Sequence, residues 1–243
     1  MFLINIPHAS TYIPKEYQKD YIISETELID NTFKFADLYT DFLYKGLFDK
    51  NEVLKAKYSR LFIDMERFED DNLEEQYKHG MGWYYTKSPF VDKIIRTEES
   101  KNIIINLYHE YHNELTNITS DILEQDGIAR IIDCHSFSST TLRFQPSDIQ
   151  KPEICLGFED YHKDAEFIET FIEEFKDYDV SFNKPYAGSI VPLQFYKKDK
   201  RVFSTMIEIN KKLYMDEITF EKKEAEYFKL QEHFYNLNTK IRL

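Results

Sequence analysis

Cysteine is scarce in this sequence, which has two cysteines among 243 residues. Cys134 and Cys155 both lie within apolar runs, where a reduced thiol packs like a small hydrophobic side chain. The chain has no Cys-x-x-Cys pair, so it offers neither a disulfide framework nor a thiolate-bound structural zinc site. Small disulfide-rich domains and zinc fingers are therefore excluded.

Basic residues are also few, since the chain has 31 Lys and Arg but 44 Asp and Glu, which gives a formal net charge of -13. Binding to nucleic acid or to an anionic membrane surface needs an excess of basic residues, so neither partner is expected. No apolar run reaches the length of a membrane span, and residues 1–6 carry no basic segment typical of a secretory signal. The sequence predicts a cytoplasmic protein.

The remaining composition is that of a globular protein, with 42% hydrophobic and 31% charged residues, and the length suits one domain over residues 1–243. Strand-like and helix-like patterns alternate, which indicates an α/β fold with a mixed, mostly parallel sheet covered on both faces. Ser24 is a plausible helix N-cap and Gly127 a helix stop. Predicted strands are residues 2–6, 53–58, 61–63, 129–133, 154–156 and 202–209. Predicted helices are residues 25–47, 91–125, 164–175 and 219–238, and a break of the second helix near Thr97 is an alternative.

Polar residues stand at the ends of several predicted strands. His8 follows the first strand, Asp133 and His135 end a later one, and Glu208 lies in the last. The carboxyl ends of parallel strands meet at one edge of an α/β sheet, and binding sites form there. We therefore expect these side chains in a single site.

The two histidines suggest a metal site, because imidazole is a good ligand for Zn²⁺ and a neighbouring carboxylate such as Asp133 can orient the ring. The alternative for His8 or His135 is a core histidine bonded to a carbonyl group. No His-Glu-x-x-His or Gly-x-Ser-x-Gly motif is present, and Ser136 points to the strand face opposite His135. Thermolysin-like and serine-hydrolase chemistry are therefore disfavoured.

Glu208 stands among apolar residues, where a carboxylate is costly to bury unless it is paired or functional. Burial raises the pKa of a carboxylate, which suits it to take a proton from water, whose own pKa zinc lowers to about 7. The same group can return the proton to a leaving amine. The alternative is a structural ion pair of Glu208 with Lys211 or an arginine.

Two arginines could bind an anionic substrate. Arg60 and Arg67 flank Asp64, and guanidinium groups bind carboxylates bidentately. Asp64 alternatively forms a buried salt bridge with one of them. On the long predicted helix, His112 shares a face with Tyr108. It either packs in a polar part of the core or contacts the substrate or a metal ligand.

Six motifs follow one another along the chain. They are Pro7-His8-Ala9-Ser10, Ser59-Arg60 with Asp64 and Arg67, Tyr108-His109-Glu110-Tyr111-His112, Asp133-Cys134-His135-Ser136, Asn183-Lys184-Pro185-Tyr186-Ala187-Gly188, and Glu208-Ile209-Asn210 with Tyr214-Met215. Taken in order, these motifs resemble the N-formylglutamate amidohydrolase family, which is similar to zinc carboxypeptidases and aspartoacylases. One departure is Met65-Glu66, where many members have a polar residue such as Asn.

The resemblance implies a three-layer α/β sandwich of the zinc-carboxypeptidase type, with one zinc ion held by two histidines and a carboxylate. The residues carried over by position are His8 and His135 as metal ligands, Glu208 and Arg60 as catalytic residues, Arg67, Asn183, Tyr186 and Ser136 as substrate contacts, and Asp64, Asp133 and His112 as residues that support the ligands or the substrate.

The third metal ligand implied by the resemblance is an aspartate before the first long helix. Asp30 and Thr32 both fall at the matching place, and Asp30 is preferred because threonine is a poor neutral zinc ligand. Asp37, a turn or two further along, is the other candidate.

The implied reaction is hydrolysis of the amide bond of a small anionic N-acyl amino acid, such as N-formyl-L-glutamate. The alternatives are a carboxypeptidase-like or aspartoacylase-like hydrolase of another small amide or short peptide, and a metal-free binding protein on the same fold. Zinc is the expected ion, although the ligand types also suit Mn²⁺ or Fe²⁺.

Overall fold

The computed structural model describes residues 1–90, 93–142 and 145–241. Within these residues the strands are β1 (Phe2–Ile6), β2 (Glu52–Lys55), β3 (Ala129–Phe137), β4 (Ile154–Gly157), β5 (Val180–Phe182) and β6 (Val202–Asn210). They form one sheet in the order β2-β1-β3-β6-β4-β5. Neighbouring strands are parallel except β4 and β6, which run antiparallel.

Helices cover both faces of this sheet. They are α1 (Glu25–Phe35), α2 (Thr40–Leu43), α3 (Lys101–Asp126), α4 (Ala165–Glu174) and α5 (Glu224–Lys240). Successive strand residues point to opposite faces, so Ile4 and Ile132 join one apolar cluster with α4 and α5, whereas Leu3 and Ile131 join another with α3. Across the described ranges, each helix falls short of the length and hydropathy that a membrane crossing requires.

The register of β1, β3 and β6 brings polar side chains together. Asn5 of β1 lies opposite Asp133 of β3, and His135 of β3 lies opposite Glu208 of β6. His8 follows the end of β1 by two residues. Because the three strands are parallel, these residues share one edge of the sheet.

The structure confirms the predicted mixed, mostly parallel α/β sheet. Ser24 caps α1 in a capping box, and Gly127 ends α3 with a φ of 75°. The strand predicted at residues 61–63 is wrong. The N–H groups of Phe62 and Ile63 both donate to the carbonyl of Ser59, so a local turn uses the groups that a sheet would need.

Three helix predictions also need correction. The helix predicted over residues 25–47 is interrupted, because α1 ends at Phe35 and Tyr39 adopts a φ of 69°. The helix predicted over residues 91–125 begins at Lys101; residues 91 and 92 lie outside the described residues. The last helix begins at Glu224 rather than at residue 219. Strand β5 was not predicted, since three half-buried or exposed residues leave no readable pattern.

Candidate active site

A cavity of about 600 Å³ opens at the carboxyl ends of β1, β3 and β6. Its lining includes His8, His135 and Glu208, each less than a tenth exposed, and the two arginines predicted to bind substrate, Arg60 and Arg67. A cleft of this size at strand ends is the usual place for a small-molecule site in an α/β protein.

Three buried side chains at this cavity form a triangle of potential ligand atoms. His8 Nδ1 and His135 Nδ1 are 3.2 Å apart, and Asp37 Oδ2 lies 3.2 Å from His135 Nδ1 and 3.9 Å from His8 Nδ1. In a tetrahedral zinc site with bonds of about 2.0–2.1 Å, neighbouring ligand atoms are separated by about 3.3 Å. The three atoms therefore have the spacing of ligands around one ion.

Carboxylates on the far side of each ring orient the two histidines. His8 Nε2 lies 2.7 Å from Asp64 Oδ1, and His135 Nε2 lies 2.8 Å from Glu66 Oε2 and 3.1 Å from Asp133 Oδ1. A carboxylate accepts hydrogen bonds, so each Nε2 donates away from the triangle and each Nδ1 faces into it. The two Nδ1 atoms can share a proton, and a divalent metal ion in its place would use both lone pairs. This donor set fits such an ion.

The two histidine rings lie in different electrostatic environments, which shift their pKa values in opposite directions. Burial, reinforced by the Arg60 guanidinium, lowers the pKa of His8 to about 4. Burial also disfavours the charged form of His135, but Glu66 and Asp133 outweigh it and raise the pKa of His135. The first ring therefore offers a bare nitrogen at neutral pH, while the second sits in a strongly negative environment that attracts a cation.

Asp37 is held toward the histidines by contacts on three sides. Its N–H donates to the carbonyl of His8 (2.9 Å), and its Oδ2 accepts from the N–H of Ser136 (3.2 Å). Lys211 Nζ donates to the carbonyl of Ala36 (2.6 Å) and lies 4.0 Å from Asp37 Oδ1. The carboxylate is thus fixed by the end of β1, by β3 and by the residue that follows β6.

The structure does not bring Asp30 to this cluster; Asp37, the other candidate from the sequence, lies there instead. Asp30 lies on the solvent face of α1, where its half-exposed carboxylate pairs with Lys34 (2.7 Å) one turn away. Thr32 is buried, but its hydroxyl donates to the carbonyl of Leu28 within the helix. Only after α1 has ended does the chain turn the next aspartate inward.

Glu208 lies beside the triangle as an unpaired carboxylate. It is opposite His135 in the sheet, and its Oε2 is buried with no hydrogen-bond partner among the described residues. Burial raises the pKa of Glu208 to about 8. A buried carboxyl group without a structural partner, lining a cavity, is suited to exchange protons with a ligand.

The two arginines meet Asp64 differently. Arg60 Nη2 donates to Asp64 Oδ2 at 2.9 Å and its guanidinium stacks on Phe35, whereas Arg67 Nε lies 3.7 Å from the same oxygen. Asp64 therefore both bridges arginines and orients His8, which unites the two roles predicted for it. Burial opposes its ionisation, but Arg60 and His8 hold the pKa of Asp64 well below its usual range.

The other predicted residues divide into two groups. Ser136, His112 and Tyr186 line the cavity, and the ring of Tyr186 packs on Phe137. Asn183 is not among the lining residues. Its Oδ1 accepts from the N–H groups of Phe158 (2.9 Å) and Gly188 (3.3 Å), so its side chain stabilises its own loop instead of facing the cavity.

Sequence reasoning missed the roles of Glu66 and Lys211. Glu66 was noted as a departure from the family pattern, yet its carboxylate contacts His135. Lys211 was considered as a partner for Glu208, whereas its nearest carboxylate contact is with Asp37. The available signal was position, because Glu66 stands between Asp64 and Arg67, and Lys211 directly follows Glu208-Ile209-Asn210.

The fold and this arrangement of histidines, carboxylates and arginines at the strand ends are those of a hydrolytic enzyme for small molecules, built on a mixed α/β sheet. The chain belongs to the N-formylglutamate amidohydrolase family, whose model matches residues 1–215.

Individual relatives agree with this assignment. The chain is 25% identical over 226 residues to N-formylglutamate deformylase of Pseudomonas putida, covering 88% of this chain and 82% of that protein. Its fold is similar to the crystal structure of N-formylglutamate amidohydrolase from Ralstonia eutropha JMP134, with a TM-score of 0.80 and 22% identity over 99% of this chain and 92% of that one. A gene product of Agrobacterium tumefaciens has a TM-score of 0.63 and 18% identity over 100% of this chain and 91% of that one.

Proposed function

We propose that this protein hydrolyses the amide bond of a small N-acyl amino acid such as N-formyl-L-glutamate. It acts as a single catalytic domain in the cytoplasm. The observation that carries the proposal is the triangle of His8, Asp37 and His135 with the unpaired carboxylate of Glu208 beside it. Family membership and the name of the Pseudomonas putida relative support the choice of substrate.

His8, Asp37 and His135 would hold one divalent ion through two imidazole nitrogens and a carboxylate oxygen. Zinc suits this donor set best, and Mn²⁺ or Fe²⁺ remain compatible with it. When bound, such an ion polarises the scissile carbonyl and increases the acidity of water. Asp64 and Asp133 hold the imidazole rings in the required orientation.

Glu208 takes a proton from the attacking water and delivers it to the leaving nitrogen. Its raised pKa and its lack of a structural partner support this role. Arg60 presents its guanidinium at the same cavity and stabilises the oxygen of the substrate carbonyl. Arg67, whose ion pairs are long, binds the amino-acid end of the substrate.

Formate release from N-formyl-L-glutamate by the zinc-loaded protein tests this proposal. We expect Glu208→Gln to keep its zinc but to lose about 10²–10⁴-fold in kcat, since a general acid–base group contributes that much. Glu221→Gln, an exposed glutamate in the same part of the chain, serves as the matched control and should retain activity. Wild-type turnover in Glu208→Gln would refute the assigned role.

A substrate panel separates the alternatives. Preferential cleavage of N-acetyl amino acids would favour the aspartoacylase-like hydrolase, and preferential cleavage of dipeptides would favour the carboxypeptidase-like one. Elemental analysis addresses the third alternative. A wild-type protein without metal after zinc-replete expression would favour a binding protein, whereas one zinc ion per chain that is lost in His135→Ala supports the hydrolase.

A further inference from the structure

A second group of polar side chains lines the cavity apart from the metal ligands. We call Arg67, Gln76 and His112 the polar wall. Arg67 Nε, Gln76 Oε1 and His112 Nε2 are each buried without a hydrogen-bond partner among the described residues, and all three residues line the cavity. Leaving one buried polar atom unpaired is costly, and a ligand in the cavity would relieve that cost at three atoms together.

Contacts with Tyr108 and Glu74 hold the residues of the polar wall together. Tyr108 donates its hydroxyl to the carbonyl of Arg67 (2.8 Å) and packs its ring on His112, with 4.1 Å between ring centres. Glu74 Oε1 accepts from the N–H of Gln76 (2.9 Å) and lies 3.9 Å from Arg67 Nη1. The three residues thus come from a loop, a 3-10 helix and α3, but are held by shared neighbours.

His112 can act on this wall only as an acceptor. It makes a hydrogen bond with the backbone of Met65, and because Nε2 has no partner, that bond uses Nδ1 and leaves the lone pair of Nε2 bare. Burial lowers the pKa of His112 to about 4, so the ring stays neutral at pH 7.

The rest of the wall supplies one donor and one adaptable group. Arg67 offers N–H groups, and its charge is already opposed by Asp64 at 3.7 Å and Glu74 at 3.9 Å. The amide of Gln76 can present either its oxygen or its nitrogen. A ligand that fits must therefore accept from Arg67 and donate to His112.

A carboxylate meets only half of this requirement, because its lone pairs would face the lone pair of His112. A primary carboxamide meets all of it, with its oxygen toward Arg67 and its N–H groups toward His112. We propose that the polar wall is a subsite for a primary carboxamide, so that the site prefers an N-acyl amino acid with an amide side chain, such as glutamine, over one with a carboxylate. This inference rests on the proposed hydrolase function.

Kinetics with two substrates of nearly the same shape test the proposal. N-formyl-L-glutamine and N-formyl-L-glutamate differ by one amide in place of one carboxylate. We expect the zinc-loaded wild type at pH 7 to have a kcat/KM about tenfold or more higher for the glutamine compound, mainly through a lower KM, because a site built to hydrogen-bond a substrate group rejects the analogue that leaves it unpaired.

A variant of His112 distinguishes recognition from mere packing. His112→Phe keeps a ring on Tyr108 but removes the acceptor, so the ratio of the two kcat/KM values should fall to about 1. His109→Phe, on an exposed neighbouring position of α3, is the matched control and should keep the wild-type ratio. A packing role alone would slow both substrates equally. A wild type that cleaves the glutamate compound equally well, or a His112→Phe variant with an unchanged ratio, overturns the proposal.

Product binding decides the case in which neither compound is cleaved. That result would refute the proposed hydrolysis, yet calorimetry with free L-glutamine and L-glutamate would still test the subsite. About tenfold tighter binding of L-glutamine supports the carboxamide subsite, and equal or weaker binding of L-glutamine overturns it. Since both ligands are compared on the wild type, the test stands even where His112→Phe fails to fold.

Discussion

Lys211 shows how one buried cation can support the geometry of a site. Its ammonium group bonds to the carbonyl at the end of α1 and lies 4.0 Å from Asp37. We expect Lys211→Met to weaken zinc binding about 10–100-fold, as is usual when a residue that supports a metal ligand is removed. Competition with a chromogenic chelator measures the change.

Lys212, the exposed neighbour of Lys211, provides the control. Lys212→Met should bind zinc like the wild type. Unchanged affinity in Lys211→Met would mean that Asp37 needs no support from the lysine.

The choice between two aspartates is also made at the level of single residues. Asp37 lies in the triangle and Asp30 pairs with Lys34 in solvent. We expect Asp37→Asn to lose most bound zinc, because a neutral amide is a weaker ligand than a carboxylate, and Asp30→Asn to keep one ion per chain. Elemental analysis of both variants checks this. Retention of zinc by Asp37→Asn together with its loss from Asp30→Asn would reverse the assignment.

Among the secondary-structure elements, α1 has the clearest local sequence signal for where it begins. Ser24 Oγ accepts from the N–H of Glu27, and the carboxylate of Glu27 accepts from the N–H of Ser24. We expect Ser24→Ala to lower the free energy of unfolding by about 1 kcal/mol, as the loss of an N-cap does. Urea unfolding measures it, and Ser24→Asp, which keeps a capping oxygen, should stay close to the wild type.

The elements also show where sequence reasoning succeeds and where it stops. β1 and the capped start of α1 were predictable because burial and capping are encoded in neighbouring residues. The end of α1 was not, because apolar residues keep their helical spacing past Phe35 while the backbone of Ala36 becomes extended and leaves the helix. That change of direction delivers Asp37 to the histidines. Its selection over Asp30 therefore depended on a tertiary contact that no local pattern records.

Some site residues were likewise predictable from their local sequence, and others were not. His8, His135 and Glu208 were found from their places at strand ends, and the structure brings them together. Asn183 follows a strand of only three residues, and its left-handed backbone (φ 52°) directs its side chain into its own loop. A residue type alone did not distinguish these two outcomes.

For the whole molecule, a bound ion would join β1, β3 and the segment after α1. We expect a chelator to lower the melting temperature and zinc to restore it, since an ion at 100 times its Kd stabilises the folded state by about 2.7 kcal/mol. Such a gain corresponds to a shift of about 5–10 °C for a protein of this size. Differential scanning calorimetry measures the shift. His135→Ala should show none, and an equal shift in that variant would place the ion elsewhere.

The order of strands in the sheet has a consequence for synthesis of the chain. β3 and β4 follow each other in sequence, yet β6 separates them in space. Until β6 leaves the ribosome, the growing chain holds two partial sheets, β2-β1-β3 and β4-β5, each with an unpaired edge. Translation that stops near residue 200 would therefore yield an aggregation-prone fragment. Because this fragment lacks Glu208, it would be inactive.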